Sequence, residues 1–192
     1  MKVGVFGGTF NPIHVGHAII ASYIIQHCDL DKLWLMVAPL NPFKVSQGEV
    51  LDEHRLRMAE MVSRRIENVE TSGFEFGLPR PSYTIDTLDA LQAKFPDDEF
   101  VLIIGADNWD AFNRWRGHDE ILSRFHVLIY PRQGYDIVIP DSLKDKVEIV
   151  DAPMVEVSST TIRNEIKQLN NVSFYLPDDV YRYILTKKLY LD

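Results

Sequence analysis

The segment VGVFGGTFNPIHVGH at residues 3–17 decides the fold class. A short β-rich run, Lys2 to Phe6, breaks at the glycine pair Gly7-Gly8, and an apolar stretch at helical spacing follows over Val15 to His27. A second apolar run extends from Leu33 to Ala38. A strand, a helix and another strand in this order predict a βαβ unit with parallel strands and a right-handed crossover.

The rest of the chain continues this alternation, which predicts a Rossmann-like α/β fold: a doubly wound parallel sheet with helices on both faces. Residues 1–192 are expected to form a single nucleotide-binding domain that closes with two helices in residues 158–192. Further strands are predicted at Glu99 to Ile104, His126 to Tyr130 and Lys146 to Val150. Further helices are predicted at 52–65, 82–94, 158–169 and 177–188, with Asp52 and Ser82 as caps, and one or two helices within 107–124. A proline-punctuated loop covers 39–48, and residues 68–81 are predicted to be rich in turns.

The composition narrows the function classes. Twenty Lys and Arg against 28 Asp and Glu give a net charge of −8, which disfavours a nucleic-acid partner because such binding depends on clustered cations. The single cysteine, Cys28, excludes an intramolecular disulfide and a Cys-rich zinc site. No apolar run approaches the roughly 20 residues of a membrane helix, and no signal-peptide pattern opens the chain, so a cytoplasmic protein without a membrane partner is expected. The oligomeric state, a homo-oligomer included, stays open.

The turn after the first predicted strand carries the first candidate site. Glycines at this point let the backbone approach a ligand closely, and the following helix presents free N–H groups and its positive dipole end. His14 and His17 are three residues apart and share a face if both lie on the first turn, so both can donate to one anion. A zinc site would need a third ligand at suitable spacing, which the nearby sequence lacks. No Asp or Glu occurs before Asp29, and Lys44 is the only charge from Leu33 to Gly48, which favours an anionic ligand.

The segment SSTTIR at residues 158–163 is the second candidate site. Hydroxyl residues before an apolar-periodic stretch are typical of a helix start, where hydroxyls and free N–H groups can hold phosphate oxygens. Arg163 adds a planar donor fork suited to phosphate. On its own this motif is weak evidence, because Ser and Thr cap many helices that bind no ligand.

Together, the two motifs resemble the paired signature of the nucleotidyltransferase superfamily, which shares its HxGH motif with class I aminoacyl-tRNA synthetases. The sequence between them is similar to that of bacterial nicotinate-nucleotide adenylyltransferases, over nearly the whole chain. Asn11 stands where that family usually has Asp, which leaves the site less negative, and Phe43 stands where it often has His, which removes one phosphate donor. The similarity is carried by Pro39-x-x-Pro42-x-Lys44, PSYTIDTL at 81–88, IGAD at 104–107 and FNRW at 112–115.

The resemblance implies transfer of the adenylyl group of ATP to nicotinate mononucleotide in NAD biosynthesis, giving nicotinate adenine dinucleotide and pyrophosphate. The attack is direct and in line, without a covalent intermediate, and Mg²⁺ accompanies ATP without dedicated protein ligands. The implied catalytic residues are His14, His17, Lys44 and Arg163. The implied ATP contacts are Gly8, Thr9, Phe10, His14, His17, Gly105, Asp107, Ser158, Ser159, Thr160 and Arg163, and the implied nicotinate mononucleotide contacts are Lys44, Tyr83, Thr84 and Trp115.

Two alternatives remain open from the sequence. The first is a sister adenylyltransferase that uses nicotinamide mononucleotide or phosphopantetheine as acceptor; the Ser-Tyr-Thr and Phe-x-x-Trp elements speak against phosphopantetheine. The second is a non-catalytic nucleotide sensor that kept the fold. The intact set of phosphate donors counts against a sensor, which has no need to keep all of them.

Overall fold

A single six-stranded sheet organises the computed structural model, which describes residues 1–39 and 50–191. Its strands are β1 (Lys2–Gly8), β2 (Lys32–Val37), β3 (Val69–Ser72), β4 (Glu99–Gly105), β5 (His126–Tyr130) and β6 (Val147–Ile149). They lie in the order β3-β2-β1-β4-β5-β6, and every neighbouring pair is parallel. The predicted doubly wound α/β fold is confirmed.

Helices connect the strands and follow the last one. They are α1 (Val15–His27), α2 (Asp52–Ser63), α3 (Thr84–Lys94), α4 (Ala106–Asp110), α5 (His118–Arg124), α6 (Ser159–Lys167) and α7 (Asp178–Lys187), with short 3₁₀ helices at Phe74–Gly77, Phe112–Arg114 and Asp141–Leu143. Among the described residues, no helix combines the length and the apolarity needed to cross a membrane.

The sheet is buried on both faces, because successive residues of each strand point to opposite sides. In β1, Phe6 joins a core that includes Ile24 of α1 and Ile162 of α6. Its neighbour Val5 joins a second core that includes Leu88 of α3. Two separate apolar cores, one on each face, hold the strand ends in fixed positions relative to the helices.

The strand order places a crevice between β1 and β4. From β1 the chain first winds outward to β2 and β3, and then returns to β4 on the other side of β1. The connections therefore leave in opposite directions at the carboxyl ends of these two strands, which is where open α/β sheets bind ligands. Gly7-Gly8 ends one strand and Gly105 ends the other.

Three expectations about elements were wrong. Val69–Ser72, predicted as turn-rich, is the edge strand β3, which gains its hydrogen bonds from β2. The residues that cap α2 and α3 are Leu51 and Tyr83 instead of Asp52 and Ser82. Asp52 instead opens the first turn of α2, where a negative charge faces the positive end of the helix dipole. The predicted loop at 39–48 lies outside the described residues from position 40 onward.

Candidate active site

The two histidines of the first motif lie against each other at the start of α1. His14 is the N-cap and His17 the third helical residue, and their ring centroids are 3.8 Å apart with the planes stacked. The backbone N–H of His14 donates to Nδ1 of His17 at 3.3 Å. Because Nδ1 accepts, the proton of a neutral His17 ring lies on Nε2. The shared face that the spacing predicted is therefore present.

Both imidazoles are held neutral near pH 7. Burial, and secondarily the Arg132 guanidinium, lower the pKa of His14 to about 4. Burial also lowers the pKa of His17 well below its ordinary value, with the His14 ring and Arg132 acting in the same direction. Each ring thus offers one N–H donor without a net charge, because burial disfavours the charged form.

A cleft of about 480 Å³, here named the histidine cleft, opens beside these rings. Three buried polar atoms in its wall have no hydrogen-bond partner among the described residues: His14 Nδ1, Asp107 Oδ1 and Arg132 Nε. The latter two atoms form an ion pair with each other at 3.7 Å. Buried polar atoms without a hydrogen-bond partner are rare in folded proteins, so the free Nδ1 of His14, beside this ion pair, indicates a place for a polar ligand. The wall is formed by His14, His17, Asp107, Pro131, Arg132, Gln133, Tyr135, Met154, Val155, Glu156, Val157, Ser158, Ser159 and Thr161.

The second motif packs directly onto the turn of the first. Ser158 caps α6 by accepting from the Thr161 N–H at 3.1 Å. The Ser159 hydroxyl donates to the Pro12 carbonyl at 2.8 Å. This bond joins residues 147 positions apart and brings the two motifs together, as their shared assignment to ATP requires. Ser158 and Ser159 both belong to the wall of the histidine cleft.

Thr160 and Arg163 take a different position. The Arg163 guanidinium donates through Nη1 to the Asn11 carbonyl at 2.7 Å and through Nη2 to the Thr160 hydroxyl at 3.2 Å. Neither residue belongs to the wall of the histidine cleft. In this structure Arg163 orients the turn that carries the histidines, and its contact with phosphate stays a prediction.

A second cavity, of about 410 Å³, is here named the tryptophan cavity. It contains all three described residues assigned to the mononucleotide: Tyr83, Thr84 and Trp115. Thr84 opens α3, and the Tyr83 N–H just before it donates to the Asp86 carboxylate at 3.1 Å. The full wall is Val5, Phe6, Gly7, Gly8, Thr9, Ala38, Glu75, Ser82, Tyr83, Thr84, Thr87, Leu88, Leu102, Ile103, Ile104, Gly105, Asn108, Trp115 and Tyr130.

The two cavities are neighbours along the carboxyl ends of β4 and β5. Gly105 lines the tryptophan cavity and Asp107 the histidine cleft, and a Cβ at position 105 would collide with the Asp107 carboxylate. Tyr130 lines the tryptophan cavity and Arg132 lines the histidine cleft. Nη2 of Arg132 donates to the Tyr130 hydroxyl at 3.2 Å. Two ligands bound in these cavities would lie next to each other at this edge of the sheet, with the two histidines in the wall of the histidine cleft.

Comparison with known proteins supports the assignment of the chain to a family. A sequence model described as cytidylyltransferase-like matches residues 5–165. The chain belongs to the cytidylyltransferase-like family. The nucleotidyltransferase class that the motifs indicated is thereby confirmed.

Relatives within the cytidylyltransferase-like family are similar over nearly the whole chain. Proteins named "Probable nicotinate-nucleotide adenylyltransferase" from Bacteroides thetaiotaomicron and Flavobacterium johnsoniae are 40% and 41% identical to it. The first alignment covers 96% of this chain and 91% of the relative, and the second covers 96% of both. The resemblance drawn from the motifs is confirmed by these relatives.

Solved structures show the same fold. The nicotinic acid mononucleotide adenylyltransferase of Plasmodium falciparum, in its complex with NaAD, superposes with a TM-score of 0.81 at 17% identity. That match covers 98% of this chain and 97% of the other. At this identity the likeness establishes the shared architecture of the sheet and helices.

Several residues at the two cavities were missed by sequence reasoning. Arg132 follows the carboxyl end of β5, so the rule that selected Asp107 after β4 would have selected it as well. Glu75 and Thr87 gave no local signal; the Thr87 hydroxyl donates to the Glu75 carboxylate at 3.0 Å, and burial raises the pKa of Glu75. Lys44 and Phe43 lie outside the described residues.

Proposed function

We propose that the chain transfers the adenylyl group of ATP to nicotinate mononucleotide, forming nicotinate adenine dinucleotide and pyrophosphate in NAD biosynthesis. Two adjoining cavities, one of which carries a neutral histidine pair in its wall, carry this proposal. It is supported by the relatives that bear the name of this activity.

The reaction needs no protein nucleophile. A 5′-phosphate oxygen of the mononucleotide attacks the α-phosphorus of ATP, the bond from that phosphorus to the oxygen bridging the α- and β-phosphates breaks, and pyrophosphate leaves with the bond electrons. Holding the two substrates in line can supply roughly 7 to 11 kcal/mol of the barrier. Each donor aimed at the developing negative charge adds about 3 to 4 kcal/mol. These two contributions are large enough without covalent catalysis.

The histidine cleft would take the ATP. Nε2 of His17 and the ring of His14 would donate to phosphate oxygens near the reacting phosphorus. The backbone N–H groups of Gly8, Thr9 and Phe10 would contact the ATP from the side of the tryptophan cavity, whose wall includes Gly8 and Thr9. Ser158 and Ser159 in the cleft wall would hold the β- and γ-phosphates, and Thr160 and Arg163, which lie outside that wall, would join them. Asp107 in the cleft and Gly105 in the adjoining cavity would contact the adenosine. Arg132, whose Nε lacks a hydrogen-bond partner among the described residues, adds a cation to this set.

Magnesium would enter as part of the ATP substrate. No group of three or more His, Cys, Asp or Glu side chains in residues 1–39 and 50–191 is arranged to hold a metal ion. The histidine cleft carries two carboxylates, those of Asp107 and Glu156. Such a sparse donor set fits an ion that keeps phosphate and water ligands, as Mg²⁺ does.

The tryptophan cavity would take the mononucleotide. The Trp115 indole would stack on the pyridine ring, with Tyr83 beside it, and the first turn of α3 at Thr84 would receive the nicotinate carboxylate. Nicotinamide lacks that negative charge and would gain less from the helix N-terminus. Lys44 would bridge the phosphates of the two substrates.

Pyrophosphate release tests the proposal directly. With ATP and Mg²⁺, the protein is expected to release pyrophosphate with nicotinate mononucleotide far faster than with nicotinamide mononucleotide or phosphopantetheine. Faster release with either of the other acceptors would replace the proposed substrate, and release with none of the three would contradict the proposed activity.

A further inference from the structure

Arg55 of α2 is a fully buried cation next to the proposed site. Its side chain has no solvent exposure, although it lies in the first turn of a helix whose neighbouring Arg57 is half exposed. A buried charge is tolerated only when it is paired and hydrogen-bonded. Where its donors are directed therefore shows what this residue holds in place.

The Arg55 guanidinium joins the ends of two strands. Its Nη1 donates to the carbonyl of Thr9, just beyond β1. The same Nη1 also donates to the carbonyl of Ala38, just beyond β2, and this second bond is 2.7 Å long. Its Nη2 donates to Oδ1 of Asp52 at 2.5 Å. Both carbonyl-bearing residues line the tryptophan cavity.

Asp52 extends these contacts to a third wall of the cavity. Its Oδ2 accepts from Nη2 of Arg80 at 3.1 Å. Arg80 stands two residues before Ser82, where the wall formed by Ser82, Tyr83 and Thr84 begins. One buried guanidinium with its ionic partners thus links the turn after β1, the end of β2 and the segment before α3.

The contact with Thr9 also fixes the direction of a backbone donor. The peptide bond between Thr9 and Phe10 is trans, so the Thr9 carbonyl and the Phe10 N–H point in opposite directions. Because the carbonyl points to Arg55, the N–H points away from α2. Phe10 has a φ of 46°, a conformation that non-glycine residues rarely adopt, so this peptide orientation depends on contacts such as the one from Arg55.

We propose that Arg55 is a positioning residue: it orients the Thr9–Phe10 peptide and sets the spacing of the three walls that receive the mononucleotide. The kinetic test of this role rests on the proposed function, whereas the contacts of Arg55 described above do not depend on it. If Arg55 only satisfied buried carbonyls, its loss would lower stability and leave the kinetics of the folded protein unchanged.

The experiment compares Arg55→Lys and Arg55→Met with Arg57→Met, a control on the exposed side of the same helix. Lysine keeps the charge but lacks the planar fork that serves two carbonyls and a carboxylate together. Thermal unfolding first identifies a temperature at which every variant is folded. At that temperature, kcat and the KM for each substrate are measured by pyrophosphate release, and ATP affinity by titration calorimetry.

Arg55→Lys is expected to lower kcat at least tenfold and to raise the mononucleotide KM severalfold, while Arg57→Met stays within twofold of wild type. Arg55→Met is expected to be at least as impaired. Wild-type kcat and KM in folded Arg55→Lys would overturn the positioning role. If wild type released no pyrophosphate with any acceptor, the proposed function would fail, and the positioning role would then be judged from ATP affinity. A loss of ATP affinity of fivefold or more in Arg55→Lys, but not in Arg57→Met, would support the positioning role. An unchanged ATP affinity in Arg55→Lys would overturn it.

Discussion

At the scale of single residues, the neutral state of the two histidines determines what they can do. In the proposed reaction, an imidazolium pair would attract phosphate strongly in the ground state, whereas two neutral rings would donate hydrogen bonds that strengthen as negative charge builds up on the oxygens around the attacked phosphorus. Such interactions raise kcat more than they lower KM. The stacking of His14 on His17 keeps both donors on one side of the turn.

Replacement of His17 tests this donor role. His17→Ala is expected to lower kcat by roughly 10²-fold or more, because one donor to the developing charge is lost, while the fold stays intact. Steady-state pyrophosphate release measures the effect, and circular dichroism checks the fold. His27→Ala, at the exposed end of the same helix, serves as control. Near-normal turnover of His17→Ala would contradict the phosphate role.

The pKa of His14 gives a second test, independent of turnover. In the ligand-free protein, NMR titration of its ring Cε1–H is expected to give a value of about 4, because burial disfavours the charged form. Added ATP is expected to raise that pKa, because a polyanion in the cleft favours the imidazolium. A midpoint near 6.5, unaffected by ATP, would show that the ring is solvated and remote from phosphate.

Trp115 tests the assignment of the tryptophan cavity. Trp115→Ala is expected to raise the nicotinate mononucleotide KM at least tenfold and the ATP KM less than threefold, because stacking serves only the pyridine ring. Trp115→Phe is expected to recover part of the loss. Equal effects on the two KM values would argue against stacking and for a packing role beside Phe112, whose ring centroid lies 5.2 Å away.

At the scale of elements, the parts that sequence predicted well are those set by local pattern. The β1–α1–β2 unit was predicted from a glycine pair between two apolar runs. The cluster of hydroxyl residues likewise predicted the start of α6, which Ser158 caps. The edge strand β3, Val-Glu-Thr-Ser, has one apolar residue and becomes a strand through pairing with β2. Such long-range pairing leaves no trace in local periodicity.

Tyr190 also holds the turn that carries the two histidines, through a contact that no local sequence motif predicts. The Tyr190 hydroxyl donates to Oδ1 of Asn11 at 2.8 Å, and the pair is buried. Burial raises the pKa of Tyr190, so the hydroxyl stays protonated as a donor. The turn is thus tied down by Arg55 from α2, by Ser159 and Arg163 from α6, and by Tyr190.

Tyr190→Phe tests this attachment. Removing the hydroxyl leaves the Asn11 amide oxygen without its partner, so the free energy of unfolding is expected to fall by about 1 to 3 kcal/mol. Denaturant unfolding measures the loss. Tyr135→Phe, at a more exposed tyrosine, is expected to change stability by less than about 0.5 kcal/mol. Equal stability of the two variants would show that the buried contact contributes nothing.

At the scale of the whole molecule, sequence reasoning predicted which segments contribute to the candidate site, but not the contacts that each residue makes there. The motif pair predicted that residues near 10 and near 160 meet, and the Ser159–Pro12 hydrogen bond shows that they do. It did not predict that Arg163 would turn towards the Asn11 carbonyl, nor that Arg132 would stand at the cleft wall. These positions depend on how segments that are distant in sequence pack together, since each side chain has several partners within reach.

The neutral histidine pair contributes to how the stability of the whole molecule responds to acid. A histidine has a pKa of about 6.5 when unfolded, and that of folded His14 is about 4, so the unfolded chain binds more protons between these values. The stability that follows from the neutral ring is therefore present above pH 6.5 and is lost as the pH falls towards 4. His17 acts in the same direction.

His14→Asn separates this contribution from that of the many carboxylates. Denaturant unfolding of wild type is expected to show a steeper loss between pH 7 and pH 4.5 than that of the variant, by about 2 kcal/mol from the His14 shift. His27→Asn, which changes an exposed ring at the other end of α1 and leaves the His14–His17 pair in place, is the control and is expected to keep the wild-type slope. If the free energy of unfolding fell with pH equally in wild type and His14→Asn, the His14 ring would have the same pKa in the folded and unfolded states. The proposal that His14 acts as a neutral donor in the candidate site would then fail.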